Sequence, residues 1–297
     1  MPVPGLIIRP MTPEDVPAAE RLSDEGFYEL DTRMSRPSWP APERRGDRGS
    51  ERWVERTQHF LRTDPGGCWV AEEETGPVGF ATSFVRDTTW FLATYVVRPG
   101  LQGRGIGRTL LEAALQHGRG CLHGMLAASS DPKAVRRYHL AGFALHPQMF
   151  LTGRVDRSAI PAIDRVREGS ASDTDLMNSV DRQTRGAARG PDHEFLQRAF
   201  RVIVSDTPTG SGYAYLGDKA AAVALAATNR RTAARLLWTA LADAPADKDV
   251  NVFHVTAANQ WAIDVGMAAR LELHQDGYLG LRGMKPPTPY LHDGALL

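Results

Sequence analysis

The chain has 297 residues, 35 Lys and Arg against 35 Asp and Glu, 42% apolar residues and a pI near 7.1. That length accommodates one large domain or two of about 150 residues, and the balanced charge supplies no global pull toward nucleic acid or an anionic membrane. No apolar run approaches the roughly 20 residues of a membrane span, and the N-terminus lacks the basic and apolar regions of a signal peptide, so a cytoplasmic protein is expected.

In chain order, a strand over residues 6–9 leads into a helix opened by Thr12-Pro13-Glu14-Asp15, an N-cap with Pro at the first helical position and acids in the first turn. Val16, Ala19, Leu22 and Phe27 give it an apolar side. From 31 to 50 the chain is rich in Pro, Arg and Gly, and Pro37, Pro40 and Pro42 block regular structure. Arg33, Arg36, Arg44, Arg45, Arg48 and Arg52 there outnumber Glu43, Asp47 and Glu51. They read as a solvated loop or as a basic lid over an acidic acceptor. A second helix is expected over 50–62 and strands over 68–71, 78–85 and 90–97.

The last of these strands runs into Val96-Val97-Arg98-Pro99-Gly100-Leu101-Gln102-Gly103-Arg104-Gly105-Ile106-Gly107, with a helix expected from about Arg108. Glycines at 103, 105 and 107 leave backbone N–H groups unobstructed and permit the positive φ that aims several of them at one point. With the positive end of a helix dipole behind it, the turn is built to hold an anion, a diphosphate above all. It is neither a dinucleotide fingerprint, since Arg108 follows Gly107, nor a triphosphate loop, since no Gly-Lys-Ser/Thr occurs. Leu110, Leu111, Ala114 and Leu115 make one stripe of the helix. A strand over 122–128, a helix capped by Asp131-Pro132 and a strand over 144–152 follow. Cys68 and Cys121, in apolar strand-like segments, are expected as buried thiols. The nine histidines show no metal-ligand spacing, so no metal is expected.

Gln102-x-x-Gly105-x-Gly107 after a strand resembles the pyrophosphate-binding motif of the GNAT superfamily, the acyl-CoA-dependent N-acyltransferases. Ala134-Val135-Arg136-Arg137-Tyr138-His139-Leu140-Ala141-Gly142-Phe143 resembles the Ala-x-x-x-Tyr-x-x-x-Gly-Phe signature of the same family at every named position. The order β-α-α-β-β-β-α-β-α-β over residues 6–153 matches its α/β fold with a mixed sheet. The resemblance implies acetyl-CoA as cosubstrate. Backbone amides of Gln102, Gly103, Arg104, Gly105, Ile106, Gly107 and Arg108 would hold the diphosphate. Tyr95, Val96 and Val97 would align the pantetheine where their strand splays from the next. Tyr138 would act as general acid toward the CoA sulfur. Ser129 and Ser130 stand where many relatives carry an Asn against the pantetheine arm, and a hydroxyl there does part of that work. Relatives often place a Glu on the splayed strand, where this chain has Trp90-Phe91-Leu92. Asp87, Asp31 and Glu25 are the candidate bases, with a water chain as the alternative. Phe27, Tyr28, Trp39, Trp53, Trp90 and Phe91 are candidate walls of an acceptor cleft.

From about Asp164 the elements start over. Arg167 with Ser170-Ala171-Ser172-Asp173 echoes Arg9 with Thr12–Asp15, Leu236-Leu237 echoes Leu110-Leu111, and 252–258 with Asn259 echoes 122–128. Two tandem GNAT-like domains are expected, a catalytic one over 1–155 and a degenerate one over 156–297. In the second, Thr228-Asn229-Arg230-Arg231-Thr232-Ala233 replaces the glycine loop and Gly266 replaces Tyr138, which leaves a scaffold or substrate-cleft role. Arg230 and Arg231 remain candidates for attracting a phosphate. The proline-rich stretch 284–290 opens an extended arm, expected to reach back across the N-terminal domain. The function expected is transfer of an acetyl group from acetyl-CoA to the amine of a small molecule (an amino-acid derivative, metabolite or antibiotic) by a monomer or homodimer. The alternatives are a non-catalytic acyl-CoA-binding module and an acetyltransferase for protein N-termini or lysines.

Overall fold

The computed structural model describes residues 5–37, 39–218 and 221–297. The chain divides into two compact units, one holding the residues up to Leu126 with Ser130–Gly142, the other Ala127–Ser129 with Phe143–Leu297. The first contains β1 (Ile7–Pro10), α1 (Val16–Met34), α2 (Asp47–Thr63), β2 (Cys68–Glu73), β3 (Gly76–Arg86), β4 (Thr89–Val97), α3 (Ile106–His117), most of β5 (His123–Ala128) and α4 (Pro132–Leu140). Its strands lie in the order β1-β2-β3-β4-β5, antiparallel except for the parallel pair β4–β5. Both long helices exceed the expected bounds. Nothing between Phe27 and Met34 breaks a helix, so α1 continues through Asp31, and the irregular stretch shrinks to the segment that holds the prolines.

β4, Thr-Trp-Phe-Leu-Ala-Thr-Tyr-Val-Val, is nearly all β-branched or aromatic and is buried on both faces, as a central strand requires. Phe91 stacks on Phe84 and Phe84 on Phe60, with centroids 4.9 and 5.1 Å apart, and Trp53 meets Phe80 edge-on at 5.7 Å. Trp90 donates from Nε1 to the Ala114 carbonyl at 3.1 Å. Trp53, Trp90 and Phe91 are therefore core side chains, not walls of a cleft. Cys68 is buried, which pushes its thiol up to about 12, and neither cysteine forms a disulfide.

At the far end of α2 the buried Asp64 ties three elements. It accepts from Val85 N (2.9 Å) and Arg86 Nη1 (2.8 Å) and lies 3.2 Å from His117 Nε2. Burial pushes its carboxyl up, but the His117 hydrogen bond, the Arg86 charge and the Val85 N–H outweigh that and bring it down to about 2. A carboxyl depressed in the folded state adds stability above its unfolded pKa of about 3.9, and that stability drains away as pH falls from about 4 toward 2. Asp64→Asn, which leaves Arg86 buried without its anion, should cost about 3 kcal/mol at neutral pH. It should also flatten the acid limb of the thermal-melt profile between pH 4 and 2. A wild-type profile in the variant would contradict this account.

The second unit repeats the order: β7 (Arg167–Glu168), α5 (Thr174–Arg185), α6 (Asp192–Ala199), β8 (Arg201–Thr207), β9 (Gly210–Leu216), β10 (Ala224–Ala227), α7 (Arg230–Asp243), β11 (Val250–Thr256), α8 (Gln260–Ala268) and β12 (Glu272–Arg282), then a short β13 (Tyr290–Leu291). The duplication reaches individual hydrogen bonds. Arg9 clasps Asp15 at 2.7 and 2.8 Å beside the capping box of Thr12 and Asp15. Arg167 clasps Asp173 at 2.9 and 2.6 Å beside the capping box of Ser170 and Asp173. One five-stranded sheet runs β13-β10-β9-β8-β7. Strand β6 (Ala144–Gly153), which the hydrophobic pattern assigns to the N-terminal domain, pairs antiparallel with β11 on one side and β12 on the other, so it is built into the second unit. Among the described residues no helix is long and apolar enough to cross a membrane.

Candidate active site

The pairing of β4 with β5 runs from Thr89 opposite His123 to Leu92 opposite Leu126 and then stops. Beyond it Thr94, Tyr95, Val96 and Val97 stay paired with β3 on one edge. Their other edge leaves the parallel ladder, which is the splay the family pattern implies for Tyr95, Val96 and Val97.

The turn that follows carries positive φ at Gly100 (84°), Gly103 (88°) and Gly105 (97°), values that L side chains adopt only with strain. Gln102 Nε2 donates to the Val97 carbonyl at 3.4 Å, and Leu101 N donates to Arg98 O, so the loop is folded back on the strand end. Helix α3 begins at Ile106, two residues earlier than expected, with Gly105 as a left-handed N-cap and no side chain capping it. Its first-turn amides therefore point outward uncompeted. Ile106 is buried and anchors the helix from below. Gly107 is required by packing as well, since a Cβ there would sit 2.2 Å from Tyr95 Oη. Arg104 and Arg108 are exposed at the loop. Arg108 pairs with Glu112 at 2.7 Å, and Arg104 lies 3.9 Å from Glu73.

Helix α4 is set by Asp131, whose Oδ1 accepts from Lys133 N (2.7 Å) and Ala134 N (3.2 Å), with Pro132 at the first position. Its other oxygen accepts from Arg33 Nη2 at 2.6 Å, joining the end of α1 to the start of α4. Tyr138, in the last turn of α4, is 5% exposed, and its ring centroid lies 6.0 Å from that of Tyr95. Burial, then the neighbouring Tyr95 and Asp131, push the Tyr138 phenol far above its usual value, and burial takes Tyr95 up to about 12. Both hydroxyls hold their protons at any working pH. The fold thus brings Tyr95, Val96, Val97, the glycine loop, Ser130 and Tyr138 into one unit. Ser129 falls in the other, and both serines are partly exposed at the end of β5.

The candidate bases fare differently. Asp87 is the exposed, left-handed tip of the β3–β4 hairpin, five residues before Leu92 and so roughly 16 Å from where the splay opens. Asp31 and Glu25 are exposed on α1. Gly26 faces the strand end, since a Cβ on it would lie 2.9 Å from Val96 Cγ1. Helical spacing then places Glu29 and Arg33 on the same side. Glu29 is the carboxylate that sequence reasoning passed over, and only the Gly26–Val96 approach reveals it. The expected lid is largely neutralised from within: Arg44 pairs with Asp24 and Arg45 with Glu20, while Arg33 serves Glu29 and Asp131.

In the second copy α7 follows β10 after only Thr228 and Asn229, and Asn229 Oδ1 accepts from Thr232 N at 2.9 Å, consuming the amide an anion would use. Arg230 and Arg231 are exposed beside that closed end. Gly266 holds the position in α8 that Tyr138 holds in α4, the seventh in each helix, and a Cβ there would meet Leu151 Cδ2 at 2.6 Å. The expected reach of the C-terminal arm across the N-terminal domain is corrected by β13, which pairs with β10 in the second unit.

A strand pair splayed ahead of a glycine-rich helix start, with a phenol on the next helix, is the fold of the acyl-CoA-dependent N-acyltransferases. Residues 26–143, which lie almost wholly in the first unit, match the Acetyltransferase (GNAT) family. The chain is 35% identical over 105 residues to a mycothiol acetyltransferase of Streptomyces avermitilis, a match covering 34% of this chain, and so spans about a third (31%) of that curated relative's length. Two solved structures share the fold over nearly the whole chain. One is a putative acetyltransferase from Pyrococcus horikoshii (TM-score 0.75, 20% identity, 100% of this chain and 96% of that one). The other is a tandem GNAT protein from the clavulanic acid biosynthesis pathway (TM-score 0.59, 14% identity, 93% and 98%).

Proposed function

We propose that the chain is an acetyl-CoA-dependent N-acetyltransferase for the amine of a small molecule, working through one cosubstrate site in its first unit. The observation that carries this is the coincidence in that unit of the splayed end of β4, an uncapped helix start behind left-handed glycines, and a buried protonated phenol. Acetyl-CoA supplies the acyl group as an activated thioester.

The amides at Gly103 to Arg108 face the diphosphate, and the unpaired edge at Tyr95 to Val97 orients the pantetheine by strand-like hydrogen bonds. A backbone N–H at the same edge polarises the thioester oxygen. Tyr138 Oη holds a proton for the departing sulfur and regains one from the nitrogen side through solvent. Water relay from the side of α1 that carries Glu25 and Glu29 removes the need for a carboxylate on β4.

Retention of Tyr138 favours catalysis over a binding module, and the similarity to a mycothiol acetyltransferase favours a small acceptor over a protein. Thiol release from acetyl-CoA, screened against amines, amino acids and aminoglycosides, tests the reading. Silence across the panel, with CoA bound, would favour the binding module. Calorimetry should find one CoA per chain, because the second copy lacks the loop, the free amides and the phenol. Two sites per chain would sink the single-site reading.

A further inference from the structure

The second copy keeps a cleft, and the end of the chain lies in it. The pairing of β9 with β10 follows that of β3 with β4 residue for residue: Gly212 faces Ala227 as Gly79 faces Val97. In each pair a Cβ on the glycine would run into the same place, Ala226 O at 2.7 Å and Val96 O at 2.8 Å. By this register Leu225 and Ala226 correspond to Tyr95 and Val96, whose outer edge lies beyond the β4–β5 ladder. In the second copy that edge is taken: Leu225 pairs with Leu291, Ala226 with Tyr290, and Ala227 N donates to Pro289 O at 3.2 Å.

Polar groups hold the rest of the segment. Asn259, 1% exposed at the start of α8, donates from Nδ2 to Pro287 O and accepts at Oδ1 from Tyr290 N, both at 3.0 Å. Asp293 Oδ1 accepts from Ala295 N (2.8 Å) and Leu296 N (2.7 Å), turning the chain inward. The main-chain oxygens of Leu296 and Leu297 then accept from Arg189 Nη1 and Arg185 Nη1. Both guanidiniums are buried. Arg189 also donates to Tyr213 Oη (3.0 Å) and Tyr290 Oη (2.6 Å), and Arg185 to the Ala187 and Ala188 carbonyls. Asp181, buried 3.7 Å from Arg189, accepts from Tyr213 Oη at 2.6 Å and lies 3.0 Å from His193. Burying two guanidiniums is costly unless their donors are met, and an apolar core would pack the same space without that cost. Here one donor of each guanidinium is aimed at the backbone of the incoming segment and a second one of Arg189 at its Tyr290 hydroxyl, which is how a receptor reads a peptide.

We propose that the cleft of the second domain is a binding groove for an extended peptide and that residues 287–297 are its resident ligand. The segment docks by strand addition to β10 and by capture of two successive main-chain oxygens at Arg189 and Arg185. That it stands where the first copy leaves room for its cosubstrate rests on the function proposed above; the groove itself does not.

The test uses the full chain with a protease recognition sequence inserted at the exposed Gly283. After cutting, a fluorescent synthetic peptide of residues 286–297 is added and its anisotropy followed. The cut protein should keep its circular dichroism and its single CoA site, and the labelled peptide should exchange in with micromolar affinity, displaced by unlabelled peptide and not by CoA. A peptide N-methylated at Tyr290, which cannot donate to Asn259, should bind at least tenfold more weakly; this arm leaves the protein untouched. Arg189→Met should weaken binding by a similar factor. No exchange into a folded cut protein, equal binding of the N-methylated peptide, or loss of the second unit's structure on cutting would each overturn the proposal. Peptide exchange in a chain that binds no CoA would sink the proposed function and leave the groove standing.

Discussion

Tyr138→Phe should lower kcat about 100-fold or more while leaving the KM for acetyl-CoA within about twofold, the pattern of a group that acts only in the transition state. The substitution keeps the ring, which is 5% exposed and tilted against Tyr95, so the fold has no reason to change. Only the transferable proton is lost. Tyr95→Phe is the matched control. Its hydroxyl stands over Gly107 at the loop, so its removal should act on cosubstrate affinity and leave kcat nearly intact. The pH profile supplies a second reading. Burial raises the Tyr138 phenol well above its ordinary value, so the protonated, active form persists as pH rises. The alkaline limb of kcat should therefore stay flat past about pH 9, close to the ordinary tyrosine range. Near-normal turnover in Tyr138→Phe, or a steep alkaline limb below pH 9 that the substitution leaves in place, would assign the proton to another group.

What the sequence disclosed and what it hid follow from the range of the forces involved. The Thr12-Pro13 and Asp131-Pro132 helix starts and the positive φ at Gly103 and Gly105 are local, each decided by residues within one turn of one another, and each is found where the sequence points, although α3 begins two residues ahead of the expected Arg108. The duplication was legible for the same reason, since Arg9–Asp15 and Arg167–Asp173 are short-range clasps at identical spacing. Strand β6 shows where such reading fails. Its alternation marks a strand, but period two says nothing about which strands flank it, and β11 and β12, about a hundred residues on, claim it. Arg33 finds Asp131 across 98 positions, and Arg185 reaches Leu297 across 112. No pattern in the neighbourhood of either arginine announces such a partner. Sequence alone does not separate a cleft wall from a core side chain: Phe91 is core because α2 lies against β3 and β4 and completes its stack with Phe84 and Phe60. Asp87 is near β4 in sequence, yet strand rise carries it to the end away from the splay.

The glycine loop yields the other large effect, and it separates packing from ligand binding. Gly105→Val forces a β-branched residue to φ 97° at the N-cap of α3, a conformation costing about 1–2 kcal/mol even for less hindered side chains, and it places a side chain over the amides that would face the diphosphate. CoA affinity should fall about 100-fold, near 2.7 kcal/mol, by calorimetry. Gly107→Ala fails for a different reason. Its φ is ordinary, but the new Cβ lies 2.2 Å from Tyr95 Oη, with Tyr95 Cζ at 3.2 Å and Val97 Cγ2 at 3.5 Å. Only the hydroxyl is intolerable, so pairing Gly107→Ala with Tyr95→Phe removes the worst contact and leaves close but accommodable ones. The single variant should lose about 1–3 kcal/mol of stability by overpacking, and the double should regain most of it, a coupling that independent sites would not show. If the double variant also regains CoA affinity, the amides of α3 bind through their placement and Gly107 serves only to let Tyr95 close over them. Additive stabilities in this cycle would show that Tyr95 does not close over Gly107. Unchanged CoA affinity in Gly105→Val would remove the diphosphate from this loop altogether, and with it the ground for placing the cosubstrate along β4.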